Sequence, residues 1–177
     1  HELLDHSAIT QTDPELTGIM QETCVTVTWM KLCAKLLLLT GDSVWADEIE
    51  KSAYNALYGS VNLYQNPENG GLPFDSYSPL RANKRARFIG GFQKMENGTF
   101  FYGCCAAIGA AGTGLFPNLH LLRAGDEIVL EFYAQGEIKF TLRNGHLVTI
   151  RTQTAYPYDG TIKLTVQTEE AEAFALK

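Results

Sequence analysis

Apolar residues recur at helical intervals over Glu22–Thr40, and a glycine, Gly41, is placed to end that helix. The apolar residues at this spacing are Val25, Trp29, Leu32, Leu36 and Leu39. A second helix is predicted to begin at Asp42 or Ser43 and to reach about Tyr58. Its predicted buried face consists of Trp45, Ile49, Ala53, Ala56 and Leu57. Because the turn between the helices is very short, the pattern predicts an antiparallel helical hairpin.

Residues 59–99 show no clear periodicity and contain many Pro, Gly and Asn residues. A stretch of this length is more often functional than idle. Short strands are possible around Arg87–Phe92 and Thr99–Tyr102. Small residues then fill Gly103–Phe116, which predicts a helix that a neighbouring helix or a ligand can approach closely. Pro117 is expected to end it.

The apolar period changes from helical to two at Glu127. The predicted strands are Glu127–Tyr133, Glu137–Leu142, His146–Thr154 and Thr161–Thr168, and the last residues, Ala173–Lys177, resemble a strand cut short. Asn144-Gly145 predicts a two-residue hairpin turn, and Asp159-Gly160 marks another turn. Helices followed by antiparallel strands indicate two domains with a boundary near Asn118–Gly125.

Composition narrows the classes of partner. The chain has 177 residues with 45% apolar content, which is enough for one sizeable core or two small ones. The net charge of −6 argues against nucleic acid as a partner, since binding to a phosphate backbone needs a high density of Lys and Arg. No run of about eighteen apolar residues occurs, so no membrane-spanning segment is predicted.

Two short motifs carry the candidate chemistry. Glu22 and Cys24 lie at the start of the first helix, and Cys104 and Cys105 lie at the start of the small-residue helix. Zn²⁺ favours four ligands drawn from Cys, His and Asp/Glu, and it binds thiolates readily. The sequence therefore predicts a zinc site if the two motifs converge. The fourth cysteine, Cys33, belongs to an apolar helical run and is interpreted as core packing.

Local geometry refines this hypothesis. Glu22 and Cys24 are two residues apart, so they share a face only on extended backbone, which places the site just before the first helix. Cys104 and Cys105 would lie at a helix N-terminus, where the dipole favours a thiolate. A disulfide from Cys24 to either of them is the alternative, whereas adjacent cysteines are poor partners for each other.

These residues together resemble a known family. The string Glu22-Thr23-Cys24, the helix with Trp29 and Leu32, and the pair Cys104-Cys105 before a β-region are similar to the retaining β-L-arabinofuranosidases of glycoside hydrolase family 127. The resemblance implies that residues 1–118 are the C-terminal part of an (α/α)₆ barrel catalytic domain. It also implies that residues 119–177 begin an antiparallel β-sandwich, so that the chain is a fragment of a longer one.

The same resemblance implies roles for individual residues. Glu22, Cys24, Cys104 and Cys105 would bind zinc, and Cys104 would be the nucleophile that attacks the sugar in a double displacement. Glu2 would be the acid/base, with Glu15 as the other candidate. Independently of the resemblance, Tyr102 is one of several aromatic residues that offer a face for sugar stacking, and it is the candidate contact with the carbohydrate substrate. The fragment alone is expected to be inactive, and its exposed helix faces would favour self-association with a second copy.

A non-catalytic reading competes with this one. In it, zinc or a disulfide staples the helices to a carbohydrate-binding β-domain and no thiolate reacts. A free, alkylatable Cys104 would favour catalysis, whereas a buried, inert one would favour the staple. A Cys-His hydrolase lacks a histidine placed convincingly beside Cys104. The sequence leaves both the sugar and the compartment, periplasm or cytoplasm, open.

Overall fold

The structure is a computed structural model that describes residues 21–61, 74, 77–78, 93–94, 100–101, 104–125, 127–170 and 173–177. The chain divides into two compact units, His1–Leu115 and Phe116–Lys177. Helices therefore precede sheets, as the apolar periodicity predicts. Helix α3 (Cys104–Leu119) begins in the first unit and ends in the second.

A helical hairpin forms most of the described first unit. Helix α1 spans Thr23–Thr40 and helix α2 spans Val44–Ser52. Gly41 ends α1 in the left-handed conformation, with φ of 66°, and its N–H donates to the Leu37 carbonyl over 2.8 Å. The Asp42 side chain accepts a 3.1 Å hydrogen bond from the Val44 N–H. The predicted glycine stop and the very short turn are confirmed.

The predicted packing face of α1 is wrong. The buried apolar side chains are those of Val27, Met30, Cys33, Ala34 and Leu37. On the predicted face, Trp29, Leu32 and Leu39 are 39%, 50% and 80% exposed. Both sides of the helix are apolar, so spacing alone did not select the side that packs against α2. By length and composition α1 could also cross a membrane, but its buried stripe is that of a core helix.

The second helix changes its winding near its end. A continuous α-helix to Tyr58 was predicted, but α2 gives way to a π-helical turn at Ala53–Leu57. A π-turn adds a residue to one turn and shifts the side chains that follow it. Four of the five residues predicted to be buried, Ile49, Ala53, Ala56 and Leu57, are buried, whereas Trp45 is half-buried.

The small residues of α3 allow close packing. A Cβ atom added at Gly112 would lie 2.6 Å from Cγ2 of Val27 and 3.0 Å from Cδ2 of Leu57. Only a residue without a side chain fits at that distance, which confirms the prediction of close approach. Pro117 does not end the helix as expected but lies inside its last turn. A proline there removes one backbone hydrogen bond, and the helix ends two residues later, at Leu119.

Short strand pairs accompany the first unit. Strand β1 (Gln21–Glu22) pairs antiparallel with β2 (Tyr77–Ser78), and β3 (Gln93–Lys94) pairs antiparallel with β4 (Phe100–Phe101). Strand β4 lies in the predicted Thr99–Tyr102 segment. The predicted strand at Arg87–Phe92 falls outside the described residues.

Two three-stranded sheets make up the second unit. The strands are β5 (Leu121–Ala124), β6 (Glu127–Leu130), β7 (Gly136–Thr141), β8 (Leu147–Thr154), β9 (Ile162–Thr168) and β10 (Ala175–Leu176). The first sheet has the strand order β10-β6-β5 and the second has the order β7-β8-β9. The predicted strands are confirmed with shifted ends, whereas β5 was not predicted. Pairing is antiparallel except between β10 and β6, which is parallel.

Side chains alternate along these strands as the period of two requires. Val148, Ile150 and Thr152 of β8 are buried, while Arg151 between them is exposed. Beyond the strands, the Phe116 ring of α3 packs on Phe132 with ring centroids 4.5 Å apart. These contacts give the second unit an apolar core of its own.

The hairpin turn between β7 and β8 differs from the prediction. Its loop has three residues, because Leu142 N–H donates to the His146 carbonyl over 2.9 Å and Gly145 N–H donates to the Leu142 carbonyl over 3.0 Å. Gly145 has φ of 93°, a conformation that glycine adopts without a steric cost. The predicted turn at Asp159-Gly160 is present, and Asp159 Oδ1 accepts a 2.8 Å hydrogen bond from Thr161 N–H.

His120 gives the second unit a predicted pH dependence. Burial lowers the pKa of His120 below its ordinary value. The unfolded chain takes up this proton near pH 6.5 and the folded chain only at lower pH, so stability should fall as the pH drops below about 6.5. We expect the urea midpoint to decrease between about pH 7.5 and about pH 5.5, and His120→Asn to reduce that decrease. His146→Asn is the control, and an equal reduction in both variants would contradict the assignment.

Candidate metal and active site

Glu22 and Cys24 lie where a strand becomes a helix. Glu22 has extended backbone, with φ of −91° and ψ of 133°, and pairs with Tyr77 through strand β1. Cys24 is the second residue of α1. The expectation that both residues lie on extended backbone is therefore wrong for Cys24, since the helix begins at Thr23, two residues earlier than that expectation requires. The first helical turn nevertheless brings the thiol to the same site as the carboxylate.

Cys104 and Cys105 are the first two residues of α3. The Sγ atom of Cys105 lies 3.4 Å from Sγ of Cys24 and 3.9 Å from Sγ of Cys104. One ligand atom from each of Glu22, Cys24, Cys104 and Cys105 lies within 4.8 Å of all the others. The structure thus brings together the two motifs that stand about eighty residues apart in the sequence. We call these four residues the thiolate cluster.

The thiolate cluster has the donors and spacing of a tetrahedral zinc site. Two sulfurs bound to one Zn²⁺ at about 2.3 Å in tetrahedral geometry lie about 3.8 Å apart. The two Sγ distances, 3.4 and 3.9 Å, bracket that value. A disulfide would need sulfurs about 2.05 Å apart, and among the described residues none of the four cysteines forms one. The residues present therefore fit a zinc ion.

Exposure differs sharply among the members of the thiolate cluster. Cys105 is buried, Glu22 and Cys24 are half-buried, and Cys104 is exposed. Burial raises the pKa of the Cys24 thiol well above its usual range, and the neighbouring Cys105 and Cys104 thiols raise this pKa further. A bound cation would reverse this effect, because it stabilises the thiolate form. Of the four groups, Cys104 is the most exposed to solvent.

The other residues singled out in the sequence lie either outside the thiolate cluster or outside the residues that the structure describes. Cys33 is fully buried and does not belong to the thiolate cluster, which confirms its interpretation as core packing. Burial raises the pKa of its thiol, and Glu48 adds to the effect. The acid/base candidates Glu2 and Glu15 and the substrate candidate Tyr102 lie outside the described residues.

Sequence reasoning missed one residue that supports the site. The Thr26 hydroxyl donates a 3.2 Å hydrogen bond to the Glu22 carbonyl, and Thr26 is buried. This contact ties the backbone of a predicted ligand to the first turn of α1. The sequence signal for this contact is a threonine four positions after Glu22. At that spacing in a helix, a hydroxyl can donate to the carbonyl four residues earlier.

Comparison with known proteins places this site in a family. Three thiols and a carboxylate meet at the N-terminal ends of two helices, an arrangement compatible with a metal ion. Residues 7–113, more than half of the chain, match the family described as the β-L-arabinofuranosidase GH127 catalytic domain. The chain belongs to this family of glycoside hydrolases. Comparison with curated proteins gives no match.

Solved structures show the same fold in much longer chains. A GH127 β-L-arabinofuranosidase from Geobacillus stearothermophilus T6 is similar with a TM-score of 0.60 and 23% identity, over 89% of this chain and 24% of that one. The GH127 β-arabinofuranosidase BT3674 is similar with a TM-score of 0.63 and 21% identity, over 84% of this chain and 21% of that one. This chain therefore spans about a quarter of the length of the structures that it matches.

Proposed function

We propose that this chain carries the nucleophile and the zinc ligands of a retaining glycoside hydrolase that acts on L-arabinofuranosides or related sugars. The observation that carries the proposal is the exposure of Cys104 within an otherwise buried or half-buried thiolate cluster. Residues 1–118 would supply the C-terminal part of an (α/α)₆ barrel and residues 119–177 the start of a β-sandwich. The match of residues 7–113 to the GH127 catalytic domain supports the first of these assignments.

Glu22, Cys24, Cys104 and Cys105 would hold the zinc ion. When bound, zinc would keep the thiols deprotonated at neutral pH and would neutralise part of their charge. The carboxylate of Glu22 completes a set of four donors from side chains of the protein. Cys24 and Cys105 contribute from positions that solvent reaches poorly, which suits them to holding an ion rather than attacking a substrate.

The proposed reaction uses Cys104 twice. Its sulfur attacks the anomeric carbon of the sugar, a new C–S bond forms, and the glycosidic C–O bond breaks with its electrons remaining on the departing oxygen. Glu2 donates a proton to that oxygen. In the second step Glu2 takes a proton from water, whose oxygen attacks the same carbon and releases the Cys104 sulfur. Two inversions at one carbon retain its configuration.

Metal content tests the first part of the proposal. We expect about one zinc per chain by elemental analysis, because four donors converge within binding distance. Cys104→Ser should lower that content at least several-fold after dialysis against a weak chelator, since it removes one of four donors. Cys33→Ser removes a thiol outside the cluster and should leave the content unchanged.

Thiol labelling separates catalysis from a staple in the same samples. Iodoacetamide should modify Cys104 of the zinc-loaded chain before any other cysteine, as peptide mass mapping can show, because Cys104 is exposed. A chain without metal, in which Cys24 is joined to Cys105 or Cys104 by a disulfide, would overturn the proposal. The cluster would then be the staple of a non-catalytic module.

A further inference from the structure

One side of helix α3 carries a cysteine and two glycines at helical intervals. Gly109 and Gly112 follow Cys105 by four and seven positions, so the three residues line one side of the helix. We call them the glycine face of α3. Cys105 provides the buried thiol of the thiolate cluster, whereas the exposed Cys104, one residue earlier, lies about 100° away around the helix.

Both glycines of the glycine face touch buried side chains and leave no room for a side chain of their own. A Cβ atom added at Gly109 would lie 2.7 Å from Cγ and Cδ1 of Phe74. At Gly112 it would lie 2.6 Å from Cγ2 of Val27 and 3.0 Å from Cδ2 of Leu57. Because Phe74, Val27 and Leu57 are buried in a close-packed interior, a new methyl group would push α3 away from them.

The side chains that touch the glycine face belong to the segments that present the other ligands of the thiolate cluster. Val27 follows Cys24 on α1 by three residues, about one helical turn. Phe74 precedes Tyr77 by three residues, and Tyr77 pairs with Glu22 through strands β1 and β2. The position of α3 on these two segments therefore determines where its own cysteines meet Cys24 and Glu22.

We propose that Gly109 and Gly112 are positioning residues of the thiolate cluster, which set how closely Cys105 approaches Cys24 and thereby allow both thiols to bind one ion. The inference rests on the proposed function, since the ion is the zinc proposed there. The same contacts turn Cys105 toward α1 and leave Cys104 exposed.

The distances involved show why a single methyl group matters. The Sγ atoms of Cys24 and Cys105 lie 3.4 Å apart. Two sulfurs on one tetrahedral zinc ion lie about 3.8 Å apart, and metal–ligand distances vary by only about 0.2 Å. Moving a Cβ of Gly112 from 2.6 Å to an ordinary carbon–carbon separation of about 3.5–4.0 Å would shift α3 by roughly 1 Å. That shift exceeds what the metal–sulfur distances tolerate.

The zinc affinity of alanine variants of the whole chain tests the proposal. Gly109→Ala and Gly112→Ala should each weaken zinc binding by about 10- to 100-fold, the range found for residues that orient metal ligands. Gly114→Ala, whose Cβ would meet no atom within 4 Å, should leave the affinity unchanged. With cobalt(II) as the probe, the sulfur-to-metal charge-transfer absorption should fall in the first two variants only. Equal affinity in the unchanged chain and all three variants would overturn the proposal, as would an equal loss in all three.

A compensating substitution separates positioning from a general loss of stability. Val27→Ala removes Cγ2, the atom nearest to the new methyl group, so its combination with Gly112→Ala should recover most of the lost zinc affinity. A loss of stability alone predicts the opposite, because each substitution destabilises the chain when made singly. A double variant that binds zinc no better than Gly112→Ala would contradict the role of Gly112.

A measurement without metal distinguishes this inference from the proposed function. In a glutathione redox buffer with a strong chelator, the thiols of Cys24 and Cys105 pass two electrons and two protons to oxidised glutathione and form a disulfide. Peptide mass mapping should show several-fold less of this disulfide in Gly109→Ala and Gly112→Ala than in the unchanged chain, because their sulfurs would lie further apart. If the unchanged chain binds no zinc but shows this difference, the zinc proposal fails and the positioning role stands. The absence of this difference in a chain that binds zinc would overturn the positioning role alone.

Discussion

Saturating zinc should raise the free energy of unfolding of this chain by about 4 kcal/mol when free zinc is about 1,000 times its Kd. The four side chains proposed as ligands converge only in the folded state, so the binding energy of the ion would add to folding stability. Urea unfolding of the chain with zinc, and after treatment with a strong chelator, measures the increment. Cys24→Ser should remove most of it.

Cys33→Ser provides the matched control for this increment. It also replaces a cysteine of α1 and can lower the stability of the metal-free chain, but Cys33 is not part of the thiolate cluster. The difference between its zinc-loaded and metal-free forms should therefore equal that of the unchanged chain. An increment that disappears in both variants, or survives in Cys24→Ser, would contradict the assignment of Cys24 as a ligand.

Gly112→Ala should lower the free energy of unfolding by about 1–3 kcal/mol, the usual cost of overpacking. The new Cβ would lie 2.6 Å from Cγ2 of Val27, closer than real contacts allow. Val27 is β-branched and fully buried, so its side chain has little freedom to move away. Chemical denaturation monitored by far-UV circular dichroism measures the change.

A second glycine of the same helix serves as the control. A Cβ at Gly114 would meet no atom within 4 Å, and alanine favours a helix by up to about 1 kcal/mol over glycine. Gly114→Ala should therefore leave stability unchanged or increase it. If the two variants change stability in the same direction and by similar amounts, the close contact between α3 and α1 is not present in solution.

Much of the local structure follows from short-range chemistry and was predictable. Gly41 ends α1 because glycine adopts the left-handed conformation at little cost, and Asp42 accepts a hydrogen bond at the start of α2. The period of two located the strands around Ile138 and Ile150. In contrast, strand β5 was missed. Its four residues are held by backbone pairing with β6, which the pattern of apolar residues does not reveal.

The errors share a physical cause, which is tertiary packing. Helix α1 is apolar on both sides, so the choice of Met30 rather than Trp29 for the buried face depends on where α2 and α3 lie. The residue types in Ala53–Leu57 likewise do not distinguish a π-helical turn from an α-helix. For the site, the chemistry of the two motifs predicted a metal site if they converge, and the family resemblance implied that Glu22, Cys24, Cys104 and Cys105 come together, as they do in the structure.

The long chain segment between the two cysteine motifs affects how such a site tolerates changes in chain length. Cys24 and Cys105 are 81 positions apart, yet each lies in the first turn of its own helix. The entropy of closing a loop grows only with the logarithm of its length, so doubling the intervening segment would cost about 0.6 kcal/mol. The two short spacings, Glu22 to Cys24 and Cys104 to Cys105, are fixed by backbone geometry. We therefore expect insertions in the connecting segments between the motifs to be tolerated, provided that α1 and α2 stay intact, and a single insertion within either motif to destroy the site.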